Sequence, residues 1–255
     1  MIRFLKAALC INFKLSVSLR VAFLITLCII IVKHSLYLVA WNFFFARYKT
    51  IQGWNFDEML LMYGIVSFSI GIVEVFFYGL RELPKMIEMH QLDVFLLQPK
   101  NLILNIAMSK GDISAIGEII LGILLMIYSG YFLSPAILLV AFLGPIFIFS
   151  LYLYLSSFSF FITNSTHFVR ELYQNANIIA TQPNSAYRGI FRIFTLTLLP
   201  TAFISFFPIE YFRTGLLQHL FLASLGTGIF FSIACWLFYC GLKRYESGSN
   251  IVLRQ

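Results

Sequence analysis

The sequence has little charge. Only 11% of its residues are Asp, Glu, Lys or Arg, against roughly 25% in an average soluble domain, whereas 60% are hydrophobic and 18% aromatic. This composition excludes an ordinary soluble domain. The chain also lacks an internal repeat, a low-complexity linker and any polar stretch long enough for a soluble domain. We therefore predict a single membrane domain over residues 1–255.

Motifs for chemistry are missing as well. The sequence has no GxxxxGKS/T loop to cradle the phosphates of a nucleotide, and no HExxH, GxSxG or DxD-like cluster. Its four cysteines include no CxxC pair, and its four histidines are scattered along the chain, which gives no set of metal ligands. We therefore predict that the chain has no catalytic site, no metal site and no cofactor of its own.

Long apolar runs make up most of the chain. About 20 mostly apolar residues cross the hydrocarbon layer as a helix, and a backbone in lipid must satisfy its own hydrogen bonds. The predicted fold is therefore an all-α polytopic membrane protein. Five runs are long enough to span the membrane: 21–45, 59–80, 113–132, 135–162 and 216–242.

A sixth crossing has two alternatives. Hydropathy favours residues 189–207, although Pro200 lies within them. The more polar stretch 163–182 crosses instead if its polar side packs against other helices, and residues 187–207 then form a Pro-broken re-entrant hairpin that protein shields from lipid. Both alternatives give six transmembrane helices and place the two termini on the same side of the membrane.

Basic residues predict the orientation, because the cytoplasmic loops of membrane proteins carry an excess of Lys and Arg. With both termini inside, the inner segments hold most of the basic residues, and the outer loops hold Arg47, Lys49 and Arg213. The net charge of +7 then reflects topology and contact with anionic lipid headgroups. We therefore predict contact with membrane lipids and no binding of nucleic acid.

The first residues form a basic amphipathic pattern. On a helix, Arg3, Lys6 and Lys14 fall within one arc, and most other positions are apolar. A cleaved signal peptide needs an unbroken apolar core and a small-residue cleavage site, whereas Lys14 interrupts the first apolar run. We therefore predict that residues 1–18 form an interfacial helix on the inner leaflet.

A charged segment, GLRELPKMIEMHQLDVFLLQPKN, lies between two apolar runs at residues 79–101. Its pattern predicts a helix over 83–97, with Pro84 in the first turn and Pro99 after its end. Such a helix is too short and too charged to span the membrane. It is either a solvated interfacial helix or a docking helix for a partner. The side chains expected to face water or a partner are Arg81, Glu82, Lys85, Glu88 and Asp93.

Several short motifs recur in a characteristic order along nearly the whole chain. They are Gly53-Trp54, residues 57–60, GLRELP at 79–84, Leu92-Asp93 followed by residues 96–99, residues 200–208 and residues 243–247. In these motifs the chain resembles the permease subunits of type-2 ABC exporters, in the viologen-exporter-like branch. One position departs from that family, which has a glycine two residues before the Leu-Asp pair where this chain has His90.

The resemblance implies a function and a set of partners. Residues 83–97 would be the coupling helix, which docks onto a separate cytosolic ABC ATPase that binds ATP and magnesium. Two permease subunits, identical or related, and two ATPase subunits would form one transporter in the bacterial inner membrane, with both permease termini cytoplasmic. The family's re-entrant hairpin favours the second alternative for residues 187–207. The residues expected to contact the ATPase are Arg81, Glu82, Lys85, Glu88, His90 and Asp93.

Three Lys or Glu residues lie within the apolar runs, where charged residues are rare and often functional. They are Lys33, Glu74 and Glu118. They either form interhelical salt bridges or line a translocation path that attracts a cationic or amphipathic substrate. Two further classes of function stay open beside the exporter permease: a stand-alone channel or secondary transporter, and a membrane scaffold.

Overall fold

The computed structural model describes residues 20–50, 53–182, 189 and 199–246, without the side chains of Arg20 and Ala22. The predicted interfacial helix 1–18 and most of the predicted hairpin 187–207 lie outside the described residues. Every regular element in the described part of the chain is helical, as the sequence predicted. Helices α1 to α10 are Arg20–Tyr48, Phe56–Phe77, Gly79–Glu88, Asp93–Leu96, Leu102–Ala107, Ile116–Tyr128, Ala136–Ser157, Thr166–Ala180, Phe206–Thr214 and Leu217–Leu242.

Four of these helices are long and apolar enough to cross a membrane: α1, α2, α7 and α10. A polytopic membrane protein is therefore confirmed, whereas the predicted number of six crossings is not. The run 113–132 gives only a 3₁₀ turn, Ile113–Ala115, and the 13-residue helix α6. That helix is about 20 Å long, against roughly 30 Å of hydrocarbon, and it ends before Gly130, whose φ is +76°. Helix α8 has 15 residues and several polar side chains.

Helix α2 lies at the centre of the fold. It packs against α6 and α7, and α10 packs on the other side of α7. Small residues let α2 and α6 approach closely: a Cβ atom added at Gly122 would lie 2.5 Å from the backbone nitrogen of Phe68, and one added at Gly71 would lie 2.8 Å from that of Ile119. Close backbone approach through small residues is typical of helix packing in membranes.

Helix α1 lies at the edge of this bundle. Only 6% of the apolar 18-residue stretch of α1 is buried, whereas 67% of the corresponding stretch of α2 is buried. Its large side chains, including Val21, Leu36 and Phe43, are exposed along most of its length. The residues of α1 that reach inward are mainly His34, Tyr37 and Phe45, and Lys33 extends to Glu118 of α6.

The predicted helix 83–97 is two helices in the structure. Only Tyr78 separates the end of α2 from helix α3, which begins at Gly79, and α4 covers only Asp93–Leu96. The chain turns between them at His90, whose φ of +53° lies in the left-handed region that favours glycine. This is the position where the sequence departs from the resembled family. The left-handed residue ends α3 and prevents one continuous helix.

An ion-pair cluster lies at the start of α2, at the end of this helix that is farther from α3. The guanidinium of Arg213, in α9, contacts both carboxylate oxygens of Glu58 at 3.0 and 2.6 Å and lies 5.2 Å from the centre of the Trp54 ring. It also donates to Glu210 and to the carbonyl of Gly53. Because Glu58 belongs to the first turn of α2, this cluster fixes α9 to the start of α2.

Candidate functional site

A polar cavity of about 590 Å³ lies between α1, α2, α6 and α8. The three ionisable residues that the sequence analysis assigned to a salt bridge or a translocation path, Lys33, Glu74 and Glu118, all line it. The structure thus brings together side chains from three separate apolar runs. The other polar lining residues are Thr26, His34, Tyr37, Tyr63, Ser67, Arg81, Asp112, Ser114, Gln174, Asn177 and Thr181.

Glu118, in α6, connects α1 and α2 to α6 within this cavity. Its carboxylate is buried and accepts hydrogen bonds from Lys33 Nζ at 2.9 Å and from Ser67 Oγ at 2.6 Å. His34 Nε2 also lies 2.8 Å from the carboxylate, and Nδ1 of the same ring lies 2.5 Å from the hydroxyl of Tyr63. The Lys33–Glu118 contact is the interhelical salt bridge that the sequence analysis gave as one of two interpretations.

Glu74 forms a second ion pair, with Arg81, at the α3 end of the cavity. The two residues are seven positions apart, so on the nearly continuous α2 and α3 they lie on the same side, two turns apart. Tyrosine rings surround the guanidinium: its carbon lies 5.5 to 5.8 Å from the ring centres of Tyr78, Tyr152 and Tyr173. Burial is the largest single influence on Arg81 and lowers its pKa, but the Glu74 carboxylate and the neighbouring tyrosine hydroxyls together outweigh it and leave that pKa above its ordinary value.

The position of Arg81 corrects the sequence analysis, which placed this side chain toward water or a partner. The side chain is only 20% exposed and points into the cavity. The reason is the packing of α3: a Cβ atom on Gly79 would collide with the backbone of α5, so the start of α3 lies against the bundle. Charge alone could not predict this, because Arg81 has its partner inside the bundle.

The two glutamates of α3 are also engaged within the chain. Glu82 accepts a hydrogen bond from Lys110 Nζ at 2.6 Å. Glu88 accepts two from Thr166, one from its backbone nitrogen at 2.8 Å and one from its hydroxyl at 2.7 Å. Because Thr166 is the first residue of α8, Glu88 satisfies an otherwise unpaired donor at a helix N-terminus. Both glutamates were expected from the sequence to face water or a partner; in the structure both pair within the chain, and Glu88 attaches α3 to α8.

The remaining predicted contact residues are Lys85, in the last turn of α3, and His90 and Asp93, which follow that helix. Lys85 is exposed, and His90 Nδ1 lies 3.1 Å from the carbonyl oxygen of Glu246. Asp93 lies beside Tyr245, and burial together with this carboxylate raises the pKa of Tyr245 to about 12. Four apolar side chains that the sequence did not assign to the contact face outward here: Met89, Val94 and Leu97, each more than half exposed with Leu97 at 86%, and Leu96 at 44%. The outward face of this segment is therefore largely apolar.

Helix α8 supplies cavity residues that the sequence analysis did not name. Asn177 Nδ2 donates to the Tyr152 hydroxyl at 2.8 Å, and the Tyr37 hydroxyl donates to the carbonyl of Thr181 at 2.7 Å. The signal was present in the sequence, since the polar side of residues 163–182 was expected to pack against other helices if this stretch crosses. In the structure only part of that side does so: Gln174 and Asn177 line the cavity, whereas Arg170, Glu171 and Asn175 are exposed.

Metal-ligating side chains do not cluster in the part of the chain that the structure describes. No group of three or more His, Cys, Asp or Glu residues there is arranged to hold a metal ion. The chemistry available to the cavity is charge pairing and hydrogen bonding between helices. Such an arrangement can bind a charged group or change shape.

Comparison with known proteins gives one match. No curated protein and no solved structure matches the chain. The family model described as ABC-2 family transporter protein matches residues 30–249, which include α2 to α10, all of the cavity-lining residues except Thr26, and the segment after α3. A match over most of the chain shows the family, and such a family member is the membrane permease subunit of an ABC transporter. This multi-pass membrane protein therefore belongs to the ABC-2 transporter family.

Proposed function

We propose that the chain is the permease subunit of an ATP-driven exporter and is coupled to a separate cytosolic ABC ATPase. One observation carries this proposal. Helix α3 holds a cavity-lining ion pair at its start, Arg81–Glu74, and leads at its end into an exposed apolar surface. A partner that binds this surface therefore acts on an element that is fixed directly to the cavity.

Two polar attachments transmit the movement of α3. Arg81 connects α3 to α2 through Glu74, and Glu88 connects it to α8 through Thr166. Both α2 and α8 line the cavity. When the ATPase subunits bind ATP and magnesium and close on one another, α3 moves with them. The shift of α2 and α8 then changes the shape of the cavity and its access to either side of the membrane.

The contact with the ATPase combines apolar and charged groups. Met89, Val94 and Leu97 form the apolar part, and Lys85, His90 and Asp93 lie around it. Arg81 and Glu88 contribute by holding α3 rather than by touching the ATPase, and Glu82 is occupied by the exposed Lys110. An exposed apolar patch with polar surroundings is typical of a protein interaction site.

The cavity is the proposed translocation path. Lys33 is the most accessible of its three predicted residues, since 58% of its side chain is exposed, and it lies next to the buried carboxylate of Glu118. A cationic or amphipathic substrate would compete with Lys33 for this carboxylate. Replacing Glu118 with Gln should then reduce cation transport, and unchanged transport would rule out this path for cations.

The exposed face of α1 supports a proposed assembly. A second permease subunit, identical or related, covers part of the exposed face of α1, and lipid covers the rest.

The full chain makes six crossings, with 163–182 as the fifth and 187–207 as a re-entrant hairpin. Both termini lie in the cytoplasm, the membrane is the bacterial inner membrane, and the chain belongs to the viologen-exporter-like branch.

Co-purification tests the proposal. The tagged wild-type chain, extracted in mild detergent, should bring down a soluble ABC ATPase. Replacing Met89, Val94 and Leu97 together with Gln should abolish this, because the three side chains are exposed and their loss leaves the core unchanged. The matched control is Leu133→Gln, which removes a side chain that is 94% exposed on the connection between α6 and α7. If no ATPase binds the wild-type chain, the exporter proposal fails.

A further inference from the structure

The last described residues of the chain pack on the turn that follows α3. The Glu246 carbonyl lies 3.1 Å from His90 Nδ1, and the ring centre of Tyr245 lies 6.3 Å from that of His90 and 6.5 Å from that of Phe160. Backbone hydrogen bonds from Arg244 to Gly241 and from Tyr245 to Leu242 continue the last turn of α10. Residues 243–246 are therefore an ordered part of the face that carries the exposed end of α3.

Two basic side chains of this segment are exposed. Lys243 projects from the end of α10, and the Arg244 guanidinium lies 4.9 Å from the centre of the Phe161 ring, within the connection between α7 and α8. A cation over an aromatic face is attracted by the negative face of the ring, which favours one position of the side chain. A cavity of about 320 Å³ lies between Arg244, the end of α3 and residues 159–164.

The exposed charge of this face is mainly basic. Lys85, Lys243 and Arg244 are exposed, whereas Glu82 and Glu88 are paired with Lys110 and Thr166. Glu246 is an exposed acid on the same segment. A partner that docks on the apolar surface at Met89 and Val94 therefore meets basic side chains beside it, and favourable docking requires acidic side chains on the partner.

We propose that Lys243 and Arg244 form a second part of the ATPase docking surface and pair with acidic side chains of the ATPase. This inference rests on the proposed function, because the ATPase is its partner. The segment lies directly against the turn that the ATPase must contact to move α3, so one partner can cover both. The charge pairs fix the angle at which the ATPase approaches, and the apolar surface supplies most of the affinity.

A binding measurement tests this inference. The wild-type chain and the double variant Lys243→Glu/Arg244→Glu are placed in nanodiscs of neutral phosphatidylcholine, and each is titrated with the ABC ATPase recovered by co-purification. The double variant should bind about tenfold more weakly or worse, because like charges then face each other. Its affinity should also depend less on salt. The variant Arg244→Lys, which keeps the charge, should bind nearly as well as the wild type.

Matched controls separate this inference from the alternatives. Arg47→Glu/Lys49→Glu makes the same charge change at exposed positions near the end of α1, close to the start of α2, and should leave the affinity unchanged. Equal affinity of the Lys243/Arg244 variant and the wild type in neutral nanodiscs would overturn the inference and leave the proposed function intact. A loss that appears only with anionic lipid would assign the two side chains to headgroups instead. Failure of the wild type to bind any ATPase would refute the proposed function itself.

Discussion

The hydroxyl of Ser156 donates a hydrogen bond to the carbonyl of Leu80 at 2.7 Å. This carbonyl has no normal helical donor, because the residue four positions later is Pro84, which lacks an N–H group. Tyr173 also donates to it, at 3.3 Å. Helix α7 thus satisfies a backbone group that the proline leaves unpaired in α3, and this fixes the position of α3 on the bundle.

Ser156→Ala should therefore destabilise the protein by about 0.5–1.5 kcal/mol, the net contribution of a typical hydrogen bond, because Tyr173 still donates to this carbonyl. The measurement is thermal or denaturant unfolding in detergent. Ser150→Ala is the matched control, since the Ser150 hydroxyl donates within its own helix, to a carbonyl that already has a helical donor. In the background Pro84→Ala, which restores the missing N–H, the cost of Ser156→Ala should fall. An equal cost in both backgrounds would contradict this explanation.

The apolar runs predicted most of the fold. Residues 21–45, 59–80, 135–162 and 216–242 correspond to α1, α2, α7 and α10, with ends that differ by a few residues. The run 113–132 was less informative, because hydropathy does not register the left-handed turn at Gly130 that follows α6. Long apolar helices are predictable because lipid requires both their length and their composition.

The partners of the charged side chains could not be predicted in the same way. Lys33 and Glu118 are 85 positions apart, and Glu88 and Thr166 are 78 apart. Such pairs depend on how the helices pack, which the sequence pattern does not encode locally. The sequence identified Lys33, Glu74 and Glu118 as unusual because each is costly in lipid, but only the structure joins them in one cavity.

Removing one partner of the Arg81–Glu74 pair should be costly. Arg81→Met leaves the Glu74 carboxylate buried without its cation, and such a change typically destabilises a protein by about 3–5 kcal/mol. The double variant Arg81→Met/Glu74→Leu, which removes both charges, should recover most of this loss. The measurement is the free energy of unfolding in detergent for the two variants and the wild type. A double variant as unstable as Arg81→Met would show that the guanidinium matters for its contacts with the tyrosine rings rather than for its charge.

The backbone at His90 predicts an unusual effect of glycine. A non-glycine residue in the left-handed region is strained by roughly 1–2 kcal/mol, so His90→Gly should not reduce stability, although it removes the contact with Glu246. His90→Val should reduce stability clearly, since a branched Cβ fits this region poorly. Both effects are read from the midpoint of thermal unfolding in detergent. Greater stability of the valine variant than of the glycine variant would contradict the left-handed conformation.

The contact between Glu88 and Thr166 predicts a specific loss of coupling. Glu88→Ala removes both hydrogen bonds from the start of α8, an interaction worth about 0.5–2 kcal/mol at a helix N-terminus, and leaves Met89, Val94 and Leu97 in place. The ATPase should therefore still bind and hydrolyse ATP, but the amount transported per ATP should fall, because α3 loses its attachment to the start of α8. The measurement is the ratio of transport to hydrolysis in proteoliposomes.

Glu82→Ala is the control for this experiment. It removes another carboxylate of α3, but the partner of Glu82 is Lys110, which is 52% exposed, and exposed ion pairs contribute about 0–1 kcal/mol. This variant should keep the wild-type ratio. Glu88→Gln, which retains one oxygen as an acceptor for Thr166, should give an intermediate ratio. If transport and hydrolysis fell in proportion in Glu88→Ala, Glu88 would affect ATPase docking, and α8 would receive its movement through another contact.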